Sequence, residues 1–147
     1  PRDQGPHSVK IVTSSWFVPL NPDEFGRIGI SRGVPRGQAG FRRYPQLVPG
    51  PWFNTVPARR YRELYGEILG ALDPAQVVED LLAMADGKTP ALLCFEPPML
   101  SSAWCHRGLV SAWLWDTLSL EVYEIGQECD GCGWSHPKIP VAFRIAR

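Results

Sequence analysis

The period of the hydrophobic positions switches repeatedly along this chain, between the two-residue spacing of strands and the 3.6-residue spacing of helices. Val9-Lys10-Ile11-Val12-Thr13 is a β-branched run that predicts a first strand, ending in Ser14-Ser15-Trp16. Arg27-Ile28-Gly29-Ile30-Ser31 predicts a short second strand, closed by Arg32-Gly33-Val34-Pro35. Tyr61, Leu64, Tyr65, Ile68 and Leu72 recur at helical spacing after Pro57, so a helix is expected from near Ala58. Asp73-Pro74 pairs an N-cap with proline at the first helical position. It opens a second helix carrying Val77, Val78, Leu81, Leu82 and Met84, stopped by Gly87 and Pro90. Ala91-Leu92-Leu93-Cys94-Phe95 reads as a buried strand. A third helix is expected from about Ser101 to Leu118, then strands at Leu120–Ile125 and Val141–Ile145.

Strands alternating with helices predict an α/β fold with a mainly parallel sheet and flanking helices. Residues 33–57 break the pattern: five prolines and four glycines with no period predict a long proline/arginine-rich loop. No repeat or low-complexity tract is visible. The reading is a single domain over 9–147 behind a flexible tail at 1–8. Its 147 residues suffice for one real core, and 44% hydrophobic with 20% charged content suits a globular protein. No apolar stretch approaches the ~18 residues that span a bilayer. Pro1–Ser8 is polar and lacks the apolar segment of a signal peptide. Four cysteines, two of them beside His or Glu, suit reduced thiols or a bound metal better than a disulfide framework, which points to the cytoplasm.

A net charge of zero hides a strong segregation. From Arg27 to Arg62 lie eight arginines (27, 32, 36, 42, 43, 59, 60, 62) with no lysine, Asp or Glu. Residues 1–26 carry −1 and residues 63–147 carry −7. Arginine's planar fork binds phosphate or carboxylate in bidentate fashion and stacks on rings. Phe41, Tyr44, Trp52, Phe53 and Tyr61 are interleaved with it. The combination suits an anionic small molecule of nucleotide type or a single-stranded nucleic acid. The structural alternative is a basic loop that pairs with the acidic half of the same chain.

The chemistry concentrates in two clusters, Cys94-Phe95-Glu96 and Cys105-His106-Arg107, separated by about one loop. A strand end facing a helix start is where open α/β proteins build sites, and the same edge collects Ser14-Ser15, Arg32 and Ile125-Gly126. Alternation sends Cys94 and Glu96 to one face, with Pro97-Pro98 stiffening the loop behind. Glu96 is placed to move protons, and Cys94 to act as a nucleophile or thiol partner. With Ser102 as N-cap, Cys105 is the third helical residue, where the helix dipole and a neighbouring His or Arg favour thiolate. The helix start could hold a phosphate, with Arg107 adding its fork. Against this, Cys105 could pack inward with Leu109 and Trp113, and Glu96 could merely pair with an arginine. Cys129-Asp130-Gly131-Cys132 with His136 has zinc-knuckle spacing but supplies three ligands at most, so Cys105 or His106 would have to complete the set. Trp104, Trp113 and Trp115 fall on the third helix and are expected to be mostly core. Trp16, Trp52 and Trp134 lie in loops and could wall a pocket.

An apolar run, Cys, any residue, Glu, then about ten residues later Cys-His-Arg opening an apolar helix: this order resembles the bacterial family catalogued as domain of unknown function 488. Ile30-Ser31-Arg32-Gly33-Val34-Pro35-Arg36 is similar to that family's first-half signature, and the likeness runs from about Val9 to Gly126. It implies an α/β fold and brings no activity with it. The chain has no P-loop, dinucleotide fingerprint, G-x-S-x-G elbow or paired CxxC set, which argues against kinases, ordinary dehydrogenases, serine hydrolases and standard zinc fingers. The reading is therefore a protein that binds and processes an anionic nucleotide-like or nucleic-acid ligand. Cys94, Glu96, Cys105 and His106 are the expected reactive groups, and Arg32, Arg36, Arg107 and Ser14 the expected ligand contacts. Cys129, Cys132 and His136 are the expected site for zinc, if a metal binds. Two competing classes remain: a non-catalytic nucleic-acid or anion-binding module, and a thiol- or metal-based redox protein.

Overall fold

A computed structural model describes residues 9–96 and 104–145. Five strands form one all-parallel sheet: β1 (Val12–Ser15), β2 (Phe25–Gly29), β3 (Phe41–Arg43), β4 (Thr89–Cys94) and β5 (Tyr123–Glu124), in the order β3-β2-β4-β1-β5. Three helices, α1 (Ala58–Gly70), α2 (Pro74–Ala85) and α3 (His106–Leu118), complete an α/β architecture. The central strand β4 pairs with both β1 and β2, and reads Thr-Pro-Ala-Leu-Leu-Cys because it is covered on both faces.

Alternation along the strands divides the core in two. Ile11, Ile28, Ile30, Leu92 and Cys94 face a single cluster with Tyr61, Tyr65 and Leu69 of α1, Val77 and Leu81 of α2, and Leu109, Val110 and Leu114 of α3. The opposite face carries Val12, Trp16, Ala91 and Leu93, packed by Leu20 and Val34 of the connecting loops and by Phe25, Phe41 and Ile125. Helices thus lie on one face and loops on the other.

The local signals account for most elements. Asp73 caps α2 by accepting from the backbone N–H of Ala75 and Gln76, and Pro74 follows at the first position. Gly87, at φ +85°, turns the chain out of α2 and into β4. Three expectations need correction. The segment 33–57 is not irregular throughout, because β3 adds to the sheet edge beside β2. Val141–Phe143 is a 3-10 turn rather than a strand: the Phe143 and Arg144 N–H groups bond back to the Pro140 and Val141 carbonyls at 2.8 and 3.2 Å instead of to a neighbouring strand. The third helix starts at His106, with Cys105 as its N-cap in extended conformation, because the Cys105 N–H is drawn to the Lys138 carbonyl at 3.0 Å. The expected Ser102 cap, the Pro97-Pro98 loop and the 1–8 tail lie outside the described residues.

α3 is buried from His106 to Ala112 and again at Leu114, as a helix held between two layers must be, and its last turn, Trp115 to Thr117, is exposed. The sheet lies on one side and the segment 131–140 on the other. Ser111 Oγ donates to the Val122 carbonyl at 2.7 Å and accepts from the Gly133 N–H at 2.9 Å, tying helix to both layers. Gly108 lets the helix approach: a Cβ there would lie 2.6 Å from the Lys138 carbonyl carbon and 2.7 Å from the Ile139 nitrogen. Backbone cannot yield as a flexible side chain does. Gly108→Ala is therefore expected to cost about 1–3 kcal/mol, read as a lower urea midpoint, and to loosen the start of α3 with it.

Candidate functional site

Cys94 ends β4 and Cys105 caps α3, so strand end and helix start bring two distant thiols together beside His106. The metal-ligating atoms of Cys94, Cys105 and His106 all lie within 4.8 Å of one another, and all three residues are buried. His106 Nε2 is 2.7 Å from the Ile30 carbonyl oxygen, which can only accept, so Nε2 carries a hydrogen. Nδ1 is thereby turned to the thiols, 3.6 Å from Cys105 Sγ and 3.8 Å from Cys94 Sγ. Cys94 Sγ also lies 3.6 Å from Nε2. Tyr65 meets the ring edge-on, with 5.4 Å between centroids, and holds its plane. None of the four cysteines is in a disulfide bond.

Burial raises the Cys94 thiol well above its ordinary pKa, and its hydrogen bond to Cys105 raises it further. Burial opposes ionisation of Cys105 too. There it is outweighed by the bond from Cys94 and the charges of His106 and Arg107, which hold Cys105 well below the ordinary thiol range. His106 is raised in turn: the Cys105 charge beside it and its bond to the Ile30 carbonyl overcome its burial. The three directions differ: Cys105 gives up its proton more readily than an ordinary thiol, Cys94 less readily, and His106 keeps its proton longer than a free imidazole. Glu96 is half-buried and pushed up to about 7, chiefly by burial and then by the neighbouring Cys105 charge.

These groups line a cavity of about 480 Å³ whose walls include Ser31, Arg32, Pro49, Phe53, Tyr61, Phe95, Glu96 and Trp104. Tyr61 packs edge-on against Trp104 at 4.8 Å and Trp52 at 4.9 Å, making a firm aromatic wall. Arg32 sits over the Phe53 ring at 5.7 Å and donates to the Pro49 carbonyl at 3.0 Å, leaving its charge exposed at the rim. Arg27 and Arg43 likewise spend N–H groups on loop carbonyls, Ala39 for the first and Ser31 and Arg32 for the second. Arg60 pairs with Glu63 inside α1. Arg36, Arg42 and Arg59 are exposed, with no acidic partner among the described residues.

Beneath the cavity runs a fully buried polar chain that sequence reasoning missed. Arg107 grips Glu124 of β5 with two parallel bonds, Nε to Oε1 at 2.9 Å and Nη2 to Oε2 at 2.7 Å. Its Nη2 also donates to the Glu96 carbonyl at 2.7 Å, pinning the backbone that carries the cavity carboxylate. The Thr13 hydroxyl donates to Glu124 Oε1 at 2.8 Å and contacts His136 Nε2 at 2.7 Å. The Lys138 N–H donates to His136 Nδ1 at 3.0 Å. His136 is therefore the Nε2–H tautomer and neutral, held down at about 3 by burial first and by the Arg107 charge next.

Of the expected site residues, Cys94, Glu96, Cys105, His106 and Arg32 line one cavity. The others go elsewhere. Arg107 faces Glu124 from below rather than the cavity, and Arg36 is exposed on the loop. Ser14 lies on the loop-covered face of the sheet with Val12 and Trp16, its Oγ buried without a hydrogen-bond partner among the described residues. Cys129, Cys132 and His136 do not form a metal set, because both His136 nitrogens are spent on Thr13 and the Lys138 backbone. Among the described residues the group able to hold a metal is Cys94, Cys105 and His106. Trp104 is the tryptophan that lines the cavity, whereas Trp16 is core and Trp134 covers the Arg62 guanidinium. Among the described residues no helix is long and apolar enough to cross a membrane. Compared with known proteins, the chain matches no family model, no curated protein and no solved structure.

Proposed function

We propose that the protein binds and processes an anionic, ring-bearing ligand of nucleotide type in this cavity. The observation that carries the reading is the meeting of Glu96, Cys94, Cys105 and His106 with the uncompensated Arg32 around one aromatic-walled space. Arg32 takes the anion at the rim, and Phe53, Tyr61 and Trp104 offer ring surfaces. Glu96, near the pH of half-ionisation at neutrality, gives or takes the proton. Without a metal, Cys94 and Cys105 supply the reactive sulfur. Zinc is the cofactor such a set suits, since two thiolates and an imidazole are its ordinary ligands. The resemblance to the family catalogued as domain of unknown function 488 rests on these same two clusters.

The test pairs binding with turnover over a panel of nucleotides. Glu96→Gln should abolish turnover while leaving affinity and Tm nearly unchanged. Arg32→Ala should weaken binding about tenfold or more, the worth of one charge-assisted hydrogen bond. The exposed Arg36, Arg42 and Arg59 favour a second reading, a non-catalytic module for single-stranded nucleic acid. In that case no nucleotide is turned over. Oligonucleotide affinity instead falls steeply with salt, by roughly 0.7 in log K per log unit of salt for each phosphate neutralised.

A further inference from the structure

We infer that Cys94, Cys105 and His106 form an open three-ligand metal centre, whose fourth coordination position faces the cavity and serves a hydrolytic reaction. The inference rests on the cavity being the ligand site and adds the metal geometry and the class of reaction. Zinc bonds to sulfur at ~2.3 Å and to nitrogen at ~2.0–2.1 Å, so the edges of its tetrahedron are roughly 3.5–3.8 Å. The distance from His106 Nδ1 to Cys105 Sγ, 3.6 Å, already has that length. Cys94 Sγ, 3.8 Å from Nδ1 and 3.6 Å from Nε2, lies beside the ring and joins the set by turning its sulfur towards Nδ1. The imidazole is oriented as a ligand should be: Nε2–H is tied to the Ile30 carbonyl, which leaves Nδ1 for the metal. Two thiolates neutralise a divalent cation, so the filled centre carries no net charge into a buried place.

The number of ligands then decides the role. Structural zinc is closed by four protein ligands, while catalytic zinc keeps three and leaves one position open. Three groups converge here among the described residues, and the space beside them is the cavity holding Glu96, Tyr61, Trp104 and Arg32. Glu96 lies two residues beyond Cys94 and lines the same cavity, yet stands outside the cluster of three. That is the place for a base acting on a metal-activated water rather than for a ligand. The step adds water across one bond of the ligand, R–X + H₂O → R–OH + HX. The water proton passes to Glu96, its oxygen bonds to the electrophilic atom, and Glu96 returns the proton to the leaving group. No oxidant or reductant enters.

The whole protein, stripped of metal and titrated with zinc and with cobalt, tests this directly. One equivalent should bind, and the cobalt form should show the near-ultraviolet charge-transfer absorption of thiolate ligation. Inorganic phosphate, used as the probe, should shift the visible cobalt bands because one position is open. Zinc should shield Cys94 and Cys105 of the wild-type chain from alkylation while Cys129 stays reactive, a readout that needs no variant to fold. Cys94→Ser should cut affinity more than about 100-fold, beyond the loss of a supporting hydrogen bond. Glu96→Gln should keep the metal. Absence of metal binding, or shielding of Cys129 and Cys132 instead, overturns the proposal. So do cobalt bands indifferent to phosphate or loss of metal in Glu96→Gln, both of which mark a closed site. A chain that binds no metal yet loses nucleotide affinity in Arg32→Ala keeps the ligand cavity and rejects only the metal centre.

Discussion

Arg107→Met is expected to destabilise the protein by about 3–5 kcal/mol, the cost of leaving a buried partner charge uncompensated. Arg107 and Glu124 are both fully buried and joined by two short bonds, so the substitution strands Glu124 in the interior. It also frees the Glu96 carbonyl from Nη2 and lets the segment after β4 move. Urea unfolding of Arg107→Met beside Arg107→Met/Glu124→Gln measures the effect. Removing both charges should recover much of the loss, because the penalty lies in the orphaned carboxylate rather than in the missing attraction. Equal instability of the single and double variants would show that the packing of Arg107, not its charge, carries the fold.

The second large effect is acid sensitivity seated at His136. Its folded pKa of about 3 lies below the ordinary value of 6.5. Between those values the unfolded chain binds a proton that the native one refuses, so stability present above pH 6.5 is lost as pH falls towards 3. The slope is at most about 1.4 kcal/mol per pH unit, or about 2 kcal/mol by pH 5. Glu96 works the other way: its pKa is raised to about 7, so its contribution is lost as pH rises from 4.5. The His136 contribution is therefore read by difference. His136→Gln, which keeps a donor towards Thr13, should flatten the fall in urea midpoint between pH 7 and pH 5. An unchanged slope in the variant would place the acid sensitivity elsewhere.

Local chemistry was the legible part of this chain. Asp73-Pro74, the Leu92 strand and the spacing from Tyr61 to Leu72 each carry their own signal within a few residues, and each element formed where that signal lies. The cavity was legible for the same reason, since Cys94 and Glu96 end a strand and Cys105 and His106 start the next helix. What escaped depends on partners far along the chain. Cys105 became a cap because of Lys138, 33 positions on, and Arg107 turned from the cavity because Glu124 of β5 claimed its fork. His136 follows a CxxC and so reads as a ligand. Its true neighbours are Thr13, 123 positions earlier, and Glu124, which no spacing rule brings together. β3 is only three residues long, too short for a period to show.

The anchoring of Cys105 by the Lys138 carbonyl sets an order of assembly. Every strand and helix of the α/β layer lies before position 125, but the segment that fixes the first turn of α3 comes after it. On a ribosome, which delivers roughly 5–20 residues per second, the sheet and helices can pair before residues 136–139 have emerged. Until then Cys105 lacks the bond that makes it a cap, Gly108 has no backbone to press against, and Glu124 meets Arg107 without His136 behind Thr13. The scaffold is thus encoded ahead of the segment that fixes its chemistry: β5 ends at Glu124, while the carbonyl that holds Cys105 as a cap belongs to Lys138, in the run that covers the helix.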